Sequence, residues 1–91
     1  MTSVSRSLAI VNTKGLHARA SARFVETVEA HDAQATVSRE GQTVNGDSIM
    51  GLLMLAASKG TFIEVSCSGP EAELLLAALD DLLADGFGEP S

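Results

Sequence analysis

Apolar positions along this chain recur with two different periods, and the switches between them predict elements in the order β-α-β-β-α-β-α. Arg6 to Val11, containing Leu8-Ala9-Ile10-Val11, reads as a strand with apolar residues on both faces, which predicts an inner place in a sheet. Residues Met1 to Ser5 before it are polar and predict a frayed end. The pattern breaks at Asn12-Thr13-Lys14-Gly15. Ala20, Ser21, Phe24, Val25 and Val28 then fall at the 3–4 spacing of one helix face, predicting a helix from about Ala18 to Ala30 that His31-Asp32 ends.

Gln34 to Arg39 alternates, with Ala35 and Val37 inward, and Glu40-Gly41 turns it into Gln42-Thr43-Val44 as a hairpin. Asn45-Gly46 is a second turn signal. Ser48 stands as the N-cap of a short helix from Ile49 to about Ala57, stopped by Lys59-Gly60. Thr61 to Ser68 alternates again, Ile63, Val65 and Cys67 on one side. Gly69-Pro70 opens a third helix with Pro70 at its first position and Glu71 and Glu73 in the first turn. Ala72, Leu75, Leu76, Leu79, Leu82 and Leu83 form its apolar stripe, until Gly86 ends it. The layout is α+β: one sheet with helices on one face, in a single domain over residues 4–86.

Composition narrows the function classes. Ninety-one residues, 45% apolar, make one modest core, aliphatic because there are three Phe and no Trp or Tyr. A net charge of −6 argues against a nucleic-acid backbone as the main partner. The longest nearly uncharged stretch, Ser48 to Ala57, is too short to span a bilayer, so no membrane insertion is expected. The single cysteine, Cys67, has no partner for a disulfide and reads as a small core residue in a cytoplasmic protein. Two histidines and one cysteine show no ligand spacing, so neither a metal nor another cofactor is expected.

One stretch gathers chemistry. Lys14 to Phe24 places His17 at a helix start, where unpaired backbone N–H groups and the positive end of the helix dipole meet. That end disfavours imidazolium by about 0.3–1 kcal/mol, and neutral imidazole is the nucleophilic form. Gly15 permits a tight turn beside it. Ala18, Ala20, Ser21 and Ala22 keep the surroundings small, and Arg19 adds a forked donor suited to phosphate oxygens. Reversible N-phosphorylation fits this set. A lone histidine at a helix start is more often a plain cap, and a serine such as Ser48 is a good N-cap whatever else it does. His31 beside Asp32 reads as a helix-end partner, and Glu71, Glu73, Asp80, Asp81 and Asp85 as a solvated face.

Gly15-Leu16-His17-Ala18-Arg19, continued by Ala20-Ser21-Ala22-Arg23-Phe24-Val25, resembles the active-site segment of the HPr family of histidine-containing phosphocarriers of the phosphoenolpyruvate-dependent phosphotransferase system. Asp47-Ser48-Ile49-Met50-Gly51-Leu52 resembles the family's second signature, around a regulatory serine. The Lys59-Gly60-Thr61 turn matches in spacing, and the likeness runs from about Val4 to Ala84.

The resemblance implies an open-faced β-sandwich: a four-stranded antiparallel sheet covered on one face by three helices. It implies a carrier without turnover of its own, monomeric, in which His17 takes a phosphoryl group from phospho-enzyme I on Nδ1. The group then passes to a histidine of an enzyme IIA-type protein. Arg19 matches the arginine that contacts the phosphoryl group. Ser48 matches the target of HPr kinase/phosphorylase. Ala22, Arg23, Ile49, Met50, Leu53 and Met54 match the surface that docks partners. Ala20 stands where the family usually has proline, a variant similar to members of nitrogen-related branches. The competing reading is a regulatory binding module controlled at Ser48, with carrier activity secondary. A purely structural or small-molecule-binding domain is disfavoured by the lack of aromatics to line a pocket.

Overall fold

The computed structural model describes residues 3–89. Its elements are β1 (Ser3–Ala9), α1 (Ala18–Glu29), β2 (Gln34–Arg39), β3 (Gln42–Asn45), α2 (Ile49–Met54), β4 (Phe62–Ser68), α3 (Ala72–Ala84) and a closing 3₁₀ turn, Gly86–Gly88. The strands form one antiparallel sheet in the order β1-β4-β2-β3. The expected β-α-β-β-α-β-α order and four-stranded sheet with three helices hold.

The two-residue period explains the layering. Leu8, Ile10, Ala35, Val37, Ile63, Val65 and Cys67 point to the helical layer and are buried. Ser3, Ser5, Ser7, Thr36, Phe62 and Glu64 occupy the open face. There Ser5 pairs with Ser66 and Ser38 with Thr43, hydroxyl to hydroxyl at 2.7 and 2.8 Å. From above, Ala20, Phe24, Val25 and Val28 of α1 and Leu75, Leu76, Leu79 and Leu83 of α3 complete a single aliphatic core. Burial of each such side chain is worth about 1.5–3 kcal/mol, which makes this layer the main source of stability. Burial also pushes the Cys67 thiol up, as suits an inert core residue.

The structure departs from the pattern-based expectation at several points. Strand β1 lies at the sheet edge, paired only with β4, and not inside it. Its second apolar face amounts to small Ala9 and to Val11, which lies beyond the strand and is 45% exposed. The strand also starts at Ser3: Ser3, Val4 and Ser5 pair with Ser68, Cys67 and Ser66 rather than fray. Met1 and Thr2 lie outside the described residues. On the core side of β1, Arg6 reaches Asp80 of α3 in an exposed ion pair of small worth, so the acidic face of α3 is not wholly solvated.

Helix α2 ends at Met54, short of Ala57, because the next residues are needed elsewhere. Ala56 turns left-handed at φ 50°, and the Ala57 carbonyl accepts from the Leu16 amide at 2.8 Å. Helix α3 starts at Ala72 with Glu71 as its N-cap, two residues after the position expected from Pro70. Glu71 is held by Asp32: its amide donates to the Asp32 carbonyl at 3.0 Å, and its carboxylate accepts from the Asp32 amide at 2.7 Å. Finally, the chain continues past α3 through a buried Phe87, to which the apolar pattern assigns no element.

Candidate functional site

His17 is the N-cap of α1. Its backbone is extended (φ −78°, ψ −176°), and its carbonyl accepts from the Ser21 amide at 2.8 Å, the first bond of the helix. Its side chain caps as well, Nδ1 accepting from the Arg19 amide at 3.2 Å. Gly15 makes the placement possible. It sits at φ +65°, and a Cβ there would stand 2.5 Å from the Ala57 carbonyl oxygen, so only glycine lets the loop lie against residues 57–58.

An amide donor facing Nδ1 requires a lone pair there, which puts the ring proton on Nε2. Nε2 faces the Glu89 carboxylate and donates to Oε2. The other carboxylate oxygen, Oε1, accepts from Asn12 Nδ2 at 3.0 Å, and the same Nδ2 donates to the Gly15 carbonyl at 2.8 Å. Asn12 is buried, and its Oδ1 has no partner among the described residues. Turning the amide over would press Oδ1 against two acceptors, so its orientation is set by its neighbours. The donated bond from Asn12, first of all, and then the His17 hydrogen bond and charge hold the Glu89 carboxyl below the usual glutamate range; partial burial opposes them.

Glu89 reaches the ring because the chain reverses after α3. Gly86, Phe87 and Gly88 are all left-handed, at φ 61°, 59° and 72°. For Phe87 that conformation costs about 1–2 kcal/mol. Complete burial of its ring returns about as much or more, and the Arg23 guanidinium donates to its carbonyl at 2.8 Å. The last described residues are thereby strapped across Asn12 and the start of α1.

The other expected residues fall in two groups. Among the described residues no hydrogen bond or ion pair engages the exposed Arg19 guanidinium, which stands two residues into α1 with Lys14 close by in sequence. Arg23 is committed to Phe87, and Ala22 is half-buried. On α2, Ile49, Met50 and Met54 are 40%, 70% and 66% exposed, while Leu52 takes the core position and Leu53 is half-buried. Ser48 caps α2, its Oγ accepting from the Gly51 amide at 3.0 Å. His31 Nδ1 meets the Thr27 carbonyl at 2.8 Å, as expected of a helix-end partner. Asn12 and Glu89 were missed as site residues. The signal for Glu89 was an apolar residue between two glycines immediately before a carboxylate; Asn12 carries no signal until Glu89 is in place.

Comparison with known proteins gives this arrangement its setting. The family model for the HPr component of the phosphotransferase system, described by its phosphorylation site, matches residues 4–85. The chain belongs to the HPr family. A phosphoryl carrier role in the phosphotransferase system goes with that membership. Phosphocarrier protein HPr of Neisseria meningitidis serogroup A is 44% identical over 86 residues, covering 94% of this chain and 97% of that protein. Phosphocarrier protein NPr of Escherichia coli is 37% identical over 87 residues, with the same coverage of 94% and 97%. The crystal structure of HPr-C-His from Thermoanaerobacter tengcongensis superposes with a TM-score of 0.90 at 37% identity, covering all of both chains.

Proposed function

We propose that His17 is the phosphoryl acceptor of this HPr-family chain. In this reading it takes the group from phospho-enzyme I and hands it to a histidine of an enzyme IIA-type protein in the cytoplasm, and the domain over residues 4–86 has no turnover of its own. The observation that carries the reading is the ring itself: it is 27% exposed, at the start of a twelve-residue helix, with Nδ1 turned toward a first-turn amide. When a phosphoryl group occupies Nδ1, the amides of that turn, which have no partner within the helix, face its oxygens. Arg19, whose guanidinium has no partner among the described residues, adds a cation.

Docking falls to the apolar side of α2. Ile49, Met50, Leu53 and Met54, flanked by Ala22 and Arg23, offer adaptable side chains to more than one partner. Phosphorylation of Ser48 by an HPr kinase/phosphorylase would add about −1.5 to −2 charge at the start of α2 and slow acceptance at His17 by repulsion of the docking partner. The deciding experiment is incubation with enzyme I and phosphoenolpyruvate followed by intact mass. One acid-labile phosphate on the parent and none on His17→Ala is expected. Phosphate on His17→Ala, or none on the parent, ends this reading.

A further inference from the structure

One turn signal of the sequence takes no part in the carrier reading. Asn45-Gly46 joins β3 to α2, and the fold fixes both residues there. Gly46 is buried: a Cβ would stand 2.9 Å from the Ala35 Cβ and 3.3 Å from the Phe24 ring, so packing admits no side chain. Asn45 is exposed, closes the ladder opposite Thr36, and accepts from the Ser48 amide at 3.2 Å through its carbonyl. A side-chain amide in water is thus followed by a peptide nitrogen with no neighbouring side chain to hinder it. A single bond restrains that nitrogen: the Gly46 N–H donates to the Ala35 carbonyl at 2.8 Å.

We propose that Asn45 is a site of spontaneous deamidation, gated by the Gly46–Ala35 hydrogen bond, that sets a new negative charge close to Ser48 and the docking helix. When the end of β3 opens, the Gly46 nitrogen loses its proton to hydroxide and attacks Asn45 Cγ. The new C–N bond closes a five-membered succinimide. The bond from Cγ to the side-chain nitrogen breaks, and that nitrogen takes a proton from water and departs as ammonia. One water then opens the ring. Addition at Cγ gives aspartate in an ordinary chain; addition at the main-chain carbonyl gives isoaspartate, whose backbone is one methylene longer. Either product carries one more negative charge three residues before Ser48. The turn is packed on the docking helix, since a Cβ on Gly51 would meet the Val44 Cβ at 3.0 Å. Aspartate suits the start of a helix, so the ordinary product keeps the parent's stability. Isoaspartate takes out of the main chain the carbonyl that the Ser48 amide uses. The effect on docking rests on the carrier reading; the modification does not.

The parent, Asn45→Gln and Gly41→Val are aged at mildly alkaline pH, folded and in guanidinium chloride, and amide loss is located by peptide mass mapping. Gln keeps a side-chain amide but must close a six-membered ring, which is far slower. Gly41→Val strains the hairpin turn, at φ +83° with nothing within 4 Å, and loosens β3 without touching Asn45. Hydrogen exchange of the Gly46 amide is read alongside. We expect loss at Asn45 at least about tenfold slower in the folded parent than in denaturant, because opening limits it. In folded Gly41→Val, amide loss and Gly46 exchange should rise by the same factor, and Asn45→Gln should lose nothing at this position. Equal rates in folded and denatured parent, or loss in Gly41→Val that does not follow Gly46 exchange, overturn the gate. No loss at Asn45 in either state overturns the site. Asn45→Asp should accept phosphate from enzyme I about threefold more slowly, as a charge beside a docking surface slows encounter, and an unchanged rate overturns that consequence. If enzyme I phosphorylates neither the parent nor Asn45→Asp while amide loss follows Gly46 exchange, the carrier reading fails and the modification stands.

Discussion

Two helix starts in this molecule look alike locally and differ in everything around them. At α1, His17 caps through Nδ1 to the Arg19 amide; at α2, Ser48 caps through Oγ to the Gly51 amide, at 3.2 and 3.0 Å. Each is a polar residue at an extended position feeding the first unpaired amides of a helix. The His17 start is braced from two further directions. Gly15 and Leu16 dock its loop on Ala57, and Glu89 arrives from the far end of the chain to hold the ring. Among the described residues, no hydrogen bond reaches the Ser48 side chain from outside its own turn, and the helix it opens has six residues. Under the proposed function, a residue that offers one nitrogen repeatedly gains from a rigid frame, whereas a serine that awaits a kinase needs only to be reachable.

The largest break in this comparison is Phe87→Ala. Its ring is fully buried, and removing it should cost about 3–5 kcal/mol, read as a lower denaturation midpoint. It should also free Glu89 and lose the protected Nε2–H of His17 while leaving the Ser48 and Gly51 amide signals in place. Equal disturbance at both helix starts would mean that the strap does not belong to the His17 side alone.

Ser48 answers to a smaller change. Ser48→Ala should lose about 1 kcal/mol from the missing cap, whereas Ser48→Asp, an equally good cap with a charge favourable at a helix start, should stay within a few tenths of the parent. If docking is sensitive to charge at this point, only Ser48→Asp should slow phosphorylation by enzyme I. Equal rates for the two variants would remove Ser48 from the control of His17.

The smallest effect is a pH dependence confined to the strap. Because Glu89 titrates below the ordinary glutamate value of 4.5 in the native protein, its contribution is complete above that pH and fades as the pH falls through the lower native value. Following the Glu89 carboxyl carbon by NMR should show a midpoint below that of a free glutamate. Asn12→Ala, which removes the main cause, should move the midpoint up. A midpoint indifferent to Asn12 would leave the clamp without its anchor.

Most of the fold was legible in the sequence because its elements are amphipathic with clean periods. The 3–4 spacing from Ala20 to Val28 and the alternation from Ile63 to Cys67 each admit one way to hide apolar atoms. The errors fell where a neighbour, rather than the residue itself, decides. Strand β1 was placed inside the sheet because Ala9 and Val11 looked like a second buried face, but pairing order is set between strands and leaves no local mark. Helix α2 was drawn too long because Leu55, Ala56 and Ala57 have good helical character. The demand of the Leu16 amide for a carbonyl ended it earlier. Pro70 suggested where α3 begins, and the bonds between Asp32 and Glu71 moved that point two residues on.

The candidate site divides in the same way. His17, Arg19 and Ser48 were visible because their signals are local: a glycine, a small-residue run, a capping residue before an apolar turn. Family membership rests on a match over residues 4–85, which includes those segments. That the Nε2–H of His17 faces a carboxylate depends on residues 12 and 89, brought together only when α3 closes on the sheet and the chain reverses through Gly86 to Gly88. The sequence by itself determined which atom types meet at the start of α1, because backbone amides and a neighbouring side chain are fixed by spacing along the chain. Only the tertiary structure decided what the Nε2–H edge of the ring meets, because that carboxylate belongs to a residue seventy-two positions away.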